Sequence, residues 1–412
     1  MAEVGHIRRW RRLLLALGLL LALGQVFRAL HGAETRFITN DGDWYYAYLV
    51  SLYFDHDLDL SNQMGAWRAA VGAAALPLAA GRPTPTAFTV GPALLWMPAF
   101  ALADLGVWVA QQAGGAIPRD GYGLPYQLAV ALATLCYGLL GVWLAFRAAL
   151  RWCGEEAQRW PGAPGFAVAA ALAASPALYY VFFEPTMAHG LSVFAGSLLV
   201  LLWLKTGEAG RWRRWALVGL AGGLCALIRP QDSLLLLLPA STLLRFRPAG
   251  ALVRLSGLAA GAAIAFLPQA LVWQATFGRP FALPQGPEFL LWSRPAAFEV
   301  CFSPHHGLFT WTPLWLIGVA GLAAGPRETR RLAVAALAVL LLEVYVNAAA
   351  RDWWAGDSYG ARRFLGLFPL FSVGLASMAC RLRRSFLAIA VVAVVLNLGL
   401  MAAYVTGRIP HG

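Results

Sequence analysis

Val90–Gln112, VGPALLWMPAFALADLGVWVAQQ, is the stretch on which the topology turns. It is long and apolar enough to cross a bilayer. Yet it opens on Gly91-Pro92, carries Pro98 and Asp104, and closes on Gln111-Gln112. Eleven other apolar runs read as helices, near 13–30, 125–148, 165–183, 187–204, 214–228, 233–245, 251–274, 307–324, 331–349, 362–379 and 385–406. Basic residues between spans mark the cytoplasmic side, and they choose between two topologies. If 90–112 lies along the membrane surface, the clusters at 8–12, 147–159, 205–214, 245–254, 327–331 and 381–384 all face the cytoplasm, with 20 of the 32 basic residues. If it crosses, every cluster after it moves outside. The sequence therefore predicts about eleven transmembrane helices, a cytoplasmic N-terminus and an interfacial helix at 90–112.

That choice gathers the polar segments on the outer face. Residues 31–124, the corners at Glu184 and Arg229, and segments 275–306 and 350–361 all fall there, so a catalytic centre would face away from the cytoplasm. The composition is 59% hydrophobic and 13% charged, with 17 tryptophans, as a bilayer requires. A net charge of +12 suggests nucleic acid, but the basic residues sit in short inter-span clusters, which argues against that partner. Cys136, Cys153, Cys225, Cys301 and Cys380 are scattered and imply neither a disulfide framework nor a zinc site. Arg8-Arg9-Trp10-Arg11-Arg12 precedes an apolar run as in a signal peptide, but no small-residue cleavage site follows, so the run reads as an uncleaved first helix. With no internal repeat, the expectation is an all-α polytopic protein of the inner membrane, integrated as one domain over 1–412.

The outward segments carry the candidate chemistry. Ile38–Leu60 holds five carboxylates, Asp41, Asp43, Asp55, Asp57 and Asp59, directly after the first span. Carboxylates beside a membrane are costly unless wet, paired or working. Asp41-Gly42-Asp43 sets two acids side by side, an arrangement that divides into a base and a positioning or proton-shifted group. A solvated acidic turn is the competing reading. Asp55-His56-Asp57-Leu58-Asp59 alternates acids but lacks the glycine and final glutamate of a calcium loop, and no metal is expected. Glu184 and His189 flank a corner at Pro185. Arg229, before Pro230-Gln231-Asp232, suits a phosphate by charge and bidentate geometry, or else pairs with Asp232. Adjacent His305 and His306 suit an anionic headgroup better than one shared zinc ion. In Arg351–Arg363, RDWWAGDSYGARR, the paired tryptophans including Trp354 read as an interfacial belt. Arg362 and Arg363 then open a span on the side that the charge bias disfavours, and so ask for an anionic partner.

Asp41-Gly42-Asp43-Trp44-Tyr45-Tyr46, the Glu184–His189 and Arg229-Pro230 corners, Ser-Pro-His-His-Gly-Leu-Phe at 303–309 and Trp-Trp-x-Gly-x-x-x-Gly-x-Arg at 353–362 occur in that order over almost the whole chain. Together they resemble the GT-C membrane glycosyltransferases, close to bacterial members related to protein O-mannosyltransferases and the aminoarabinose transferase of lipid A. The resemblance implies a GT-C-like fold with juxtamembrane helices in the first outer loop. It also implies inverting transfer of a sugar from a polyprenyl-phosphate donor to a hydroxyl of a lipid, glycan or protein, with no cofactor. The catalytic acids would be Asp41 or Asp43, with Glu184. Substrate contacts would fall among Tyr45, Tyr46, His189, Arg229, His305, His306, Trp354, Arg351, Arg362 and Arg363. Two other readings stay open, a noncatalytic subunit of a glycan-assembly complex and a flippase of a lipid-linked sugar. Against the flippase stand the missing repeat and the scarcity of intramembrane acids beyond Glu343.

Overall fold

The computed structural model describes residues 2–31, 36–207, 210–246 and 250–409. Glu208, Arg245 and Arg247, within the basic clusters, have side chains outside the described residues. The described chain is helical, with one isolated bridge between Leu290 and Ala350. It opens with α1 (Ala2–His31), followed by α2 (Gly42–Val50), α3 (Ser61–Ala70) and α4 (Gly91–Gln112). Then come α5 (Leu124–Cys153), α6 (Glu156–Arg159), α7 (Ala163–Ala173), α8 (Pro176–Phe182), α9 (His189–Thr206) and α10 (Trp212–Ile228). The second half holds α11 (Leu237–Phe246), α12 (Ala251–Phe277), α13 (Ala297–Phe302), α14 (Leu308–Trp311), α15 (Pro313–Ala323), α16 (Arg330–Ala349), α17 (Phe368–Arg381) and α18 (Arg383–Val405).

Eight helices among the described residues are long and apolar enough to cross a membrane, or nine if α7 and α8, bent by 69° across Ala174-Ser175, form one span. The chain is thus a multi-pass membrane protein, but the expected count of eleven is not confirmed. The shortfall has a local cause. α10, α11 and α15 have 17, 10 and 11 residues, because Pro230 and Pro313 stand where one helix must stop and the next begin.

α4 is among the eight by length, and it packs on the first half of α5, on α2 and, through Gly91, on the end of α10. Tyr137 donates to the Leu95 carbonyl at 3.2 Å, Trp96 to Thr134 at 2.8 Å, and Phe100 packs on Tyr126 with ring centres 5.0 Å apart. Thr134 also donates to the Pro185 carbonyl, just before α9 begins. α5 therefore starts ten residues beyond the level of α9, about 15 Å of helix, and α4 lies along that projecting part. Asp104, the odd acid in an apolar helix, is buried and accepts from Arg119 at 2.8 Å, Tyr126 at 2.9 Å and Tyr53 at 3.0 Å. α4 thus sits with α2 and α3 at this end of the bundle.

The bundle has two chemically different ends. α9 and α17 begin, and α10 and α16 end, at the capped end. Their other termini carry Lys205, Arg381, Arg213 with Arg214, and Arg330 with Arg331. Small residues let the helices approach closely: a Cβ on Gly219 or Gly261 would meet backbone atoms of the facing helix in the α10–α12 pair. Membrane helices use such contacts because lipid leaves little hydrophobic drive between them.

Candidate active site

At the capped end the helices part around a cavity of ≈ 470 Å³. Asp41 and Tyr45 line it from α2, Phe88 and Thr89 from the approach to α4, and His189 from the start of α9. Arg229 and Gln231 line it where α10 breaks, with Trp273 of α12, Asn347 of α16, and Arg362 and Arg363 ahead of α17. Segment 282–290 covers it, tied to the end of α16 by hydrogen bonds Leu291 N to Ala349 O and Arg351 N to Phe289 O.

Each charged group has a defined partner. Asp41 takes the N-cap position of α2 but does not cap it. Its carboxylate instead lies 3.0 Å from the Arg362 guanidinium and stays 37% exposed to the cavity. Arg362 is buried and also donates to the Ala355 carbonyl at 2.7 Å. Arg363 pairs with Asp352 at 2.7 Å. Arg229 places its guanidinium on Nδ1 of His189. An arginine only donates, so this imidazole nitrogen accepts and is unprotonated. Arg229 forms no ion pair among the described residues.

Glu184 does not line the cavity. It is buried behind Asp41, accepting from Asn40 at 2.7 Å and from Tyr179. Burial pushes its carboxyl up to about 7, against the opposing pull of Arg362. Asp43 also points away from the cavity, with one buried oxygen unpartnered. Burial, with the charge of Asp41, pushes it up to about 6, although the Trp44 amide and Arg68 oppose the rise. Gly42 between the two aspartates has a steric reason: a Cβ there would collide with the Thr186 side chain. That close approach brings the Asp41 corner onto the Glu184 corner.

The Glu184 environment has a measurable consequence. Between its ordinary value of 4.5 and about 7 the folded protein holds a proton that the unfolded chain has lost. Stability therefore falls as pH rises through that window, by up to about 3 kcal/mol. Thermal unfolding from pH 5 to pH 8 should show this loss, and Glu184→Gln should flatten it. An unchanged slope in the variant would contradict the assignment.

The site residues expected from the sequence thus divide. Asp41, Tyr45, His189, Arg229, Arg362 and Arg363 meet at the cavity. Tyr46 is turned into the cap, where it donates to the Gly121 carbonyl at 2.6 Å. His306 is buried and bonds through Nδ1 to the Trp354 carbonyl at 2.9 Å, so it fastens the 353–358 loop. His305, Trp354 and Arg351 are exposed outside the cavity, with Arg351 3.9 Å from Glu288. Sequence reading missed Phe88, Gln231, Trp273, Asn347 and Asp352. Gln231 and Asp352 carry a sequence signal, since each lies within a motif already singled out.

No family model and no curated protein matches the chain by sequence. Solved structures do. The crystal structure of ArnT from Cupriavidus metallidurans bound to undecaprenyl phosphate is similar at a TM-score of 0.57 and 16% identity, over 97% of this chain and 72% of that one. The same protein in the apo state is similar at 0.55 and 18% identity, over 93% and 60% respectively. ArnT is a lipid A aminoarabinose transferase of GT-C fold. The chain described here has the GT-C fold.

Proposed function

We propose that this protein is a membrane glycosyltransferase that moves a sugar from a polyprenyl-phosphate donor to an acceptor hydroxyl on the extracytoplasmic face. The observation that carries the reading is the single cavity in which Asp41 faces Arg229, Arg362 and Arg363. Two facts support its orientation and donor. The basic clusters lie at the helix ends opposite the cavity, where the cytoplasm is expected. The similar ArnT structure holds undecaprenyl phosphate.

The chemistry follows from the charges. Arginine binds phosphate with a planar, bidentate fork, and a positive wall stabilises the charge that grows on the leaving group. Asp41 accepts the proton of the acceptor hydroxyl as its oxygen attacks the anomeric carbon. The bond from that carbon to the phosphate oxygen breaks, and polyprenyl phosphate leaves against the arginines. Attack opposite the leaving group inverts the anomeric centre. Tyr45 and Phe88, edge-to-face at 5.3 Å, give the sugar an apolar wall beside the acid.

The test is incubation of purified protein with polyprenyl-phosphate sugars and an acceptor extract, following loss of each donor and the anomeric configuration of the product. Inverted product supports the reading, retained configuration overturns the single-displacement step, and consumption of no donor overturns the transferase. Orientation has a separate check by impermeant thiol labelling of intact cells. A cysteine at Asp357 should label and one at Gly154 should not; the reverse pattern would place the cavity in the cytoplasm.

A further inference from the structure

At the arginine-rich ends of the helices, opposite the active-site cavity, a second cleft of ≈ 890 Å³ opens between the end of α5, α6, the 326–329 turn and the end of α17. Arg151, Arg159, Arg327 and Arg381 line it, against the carboxylates of Glu155, Glu156 and Glu328. Arg381 and Glu156 pair at 2.9 Å. Arg151 donates to the Leu204 carbonyl at 2.6 Å. Arg159 and Arg327 enter no ion pair among the described residues. The wall thus keeps a positive excess, and exposed Arg383 and Arg384 follow at the start of α18.

Two atoms of this wall lack a partner. Trp152, in the last turn of α5, is 2% exposed, and its indole N–H has no acceptor. A Cβ on Gly325 would come 3.3 Å from that nitrogen, so the N–H lies beside the turn that closes the cleft. The second oxygen of Glu156 is buried and has no donor. A buried donor or acceptor left open is costly, and one ligand carrying a phosphate and a hydroxyl would satisfy both.

The residue after Arg381 leads from this cleft toward the bilayer. Leu382 lines a groove of ≈ 270 Å³ between α15 and α18, with Ala320, Met378 and Phe386, and its lining is apolar throughout. Cleft and groove therefore adjoin at the corner between α17 and α18, with Arg381 in one and Leu382 in the other. A soluble anion would use only the cleft, whereas a lipid uses both. Basic pockets between helices at a cytoplasmic surface suit anionic headgroups.

We infer that this end of the bundle binds an anionic phosphoglycerolipid of the adjoining leaflet, its phosphate taken by the Trp152 N–H and the surrounding guanidiniums, a headgroup hydroxyl donating to Glu156, and an acyl chain lying in the groove between α15 and α18. The site takes from the glycosyltransferase reading only the orientation, which makes that leaflet the cytoplasmic one.

Native mass spectrometry of the purified protein in detergent, titrated with phosphatidylglycerol or phosphatidylethanolamine, tests the assignment. Phosphatidylglycerol should bind at least about fivefold more tightly, since the zwitterion lacks the net charge; equal affinities overturn the anionic headgroup. Trp152→Phe keeps a ring and removes the N–H, and should weaken phosphatidylglycerol about tenfold, the scale of a hydrogen bond to a charged group. Arg327→Ala, at an exposed turn, should weaken it by a similar factor. Unchanged affinity in a folded Trp152 variant, or in Arg327→Ala where that variant does not fold, overturns the phosphate site. Free glycerol phosphate should compete at least about a hundredfold less well, because it buries no chain; equal competition makes this a site for a soluble anion and overturns the lipid. Ala320→Phe fills the groove and should weaken phosphatidylglycerol about fivefold; no change removes the acyl chain from it. Binding in detergent depends on neither orientation nor sugar transfer, so its failure leaves the glycosyltransferase reading standing, and failure of that reading leaves the lipid site.

Discussion

Asp41→Asn is expected to lower kcat/KM for sugar transfer by about 10³-fold, within the 10²–10⁴ that a positioned general base supplies. The amide keeps the shape of the carboxylate but cannot take a proton from the acceptor. Of the two acids of the wall, Asp352 is paired with Arg363 at 2.7 Å, while Asp41 lines the cavity 37% exposed and 3.0 Å from Arg362. That ion pair holds the base in place before substrate arrives, and a donor phosphate drawn to Arg362 would loosen it when the hydroxyl needs it. Asp43→Asn is the internal control. Its carboxyl points away from the cavity and is pushed up to about 6, so its loss should cost less than tenfold. Initial rates at saturating and limiting donor separate the two acids. Equal losses in both variants, or an Asp41 variant within tenfold of the parent, would remove Asp41 from the role of base.

The sequence could propose both aspartates but not choose between them, and the reason is geometric. Helical residues two apart point about 200° apart, so α2 sends Asp41 to the cavity and Asp43 to the α3 side. One step of about 100° likewise separates Tyr45, on the wall, from Tyr46, in the cap. Charges were legible because a bilayer makes each one conspicuous: Asp41, Arg229, Arg362 and Arg363 could be found by asking why they were there at all. Phe88, Trp273 and Asn347 were not, since an aromatic or an amide near a membrane surface has many ordinary uses. His306 shows the opposite failure. Its motif reads as a ligand, but its ring serves the Trp354 carbonyl. The fold was clearer than its span count. Apolar runs gave a helical membrane bundle, and 90–112 forms a helix that is itself long and apolar enough to cross. The breaks at Pro230 and Pro313, which shorten α10, α11 and α15, occur near the level where polar groups must reach the cavity.

Arg362→Ala is expected to raise the Kd for donor at least about 10²-fold and to lower thermal stability as well. Arg362 is the hub of the site. Its guanidinium meets Asp41 at 3.0 Å and the Ala355 carbonyl at 2.7 Å, and its charge is the largest influence opposing the upward push of burial on Glu184. Removing Arg362 leaves Asp41 unpaired but 37% exposed, so the loss falls below the about 3–5 kcal/mol of a fully buried pair. With Arg362 gone the Glu184 carboxyl should move above about 7, carrying the alkaline loss of stability with it to higher pH. Arg362→Lys separates charge from shape. An ammonium restores part of the stability by facing Asp41, but it cannot grip a phosphate and a carbonyl at once, so donor affinity should stay well below the parent's. Arg351→Ala supplies the baseline: that side chain is 63% exposed, lies 3.9 Å from Glu288 and stands off the cavity, and exposed pairs of this kind contribute about 0–1 kcal/mol. If lysine at 362 restores full donor affinity, the arginine is needed only as a charge. If alanine there changes affinity no more than alanine at 351, the phosphate does not sit on this wall.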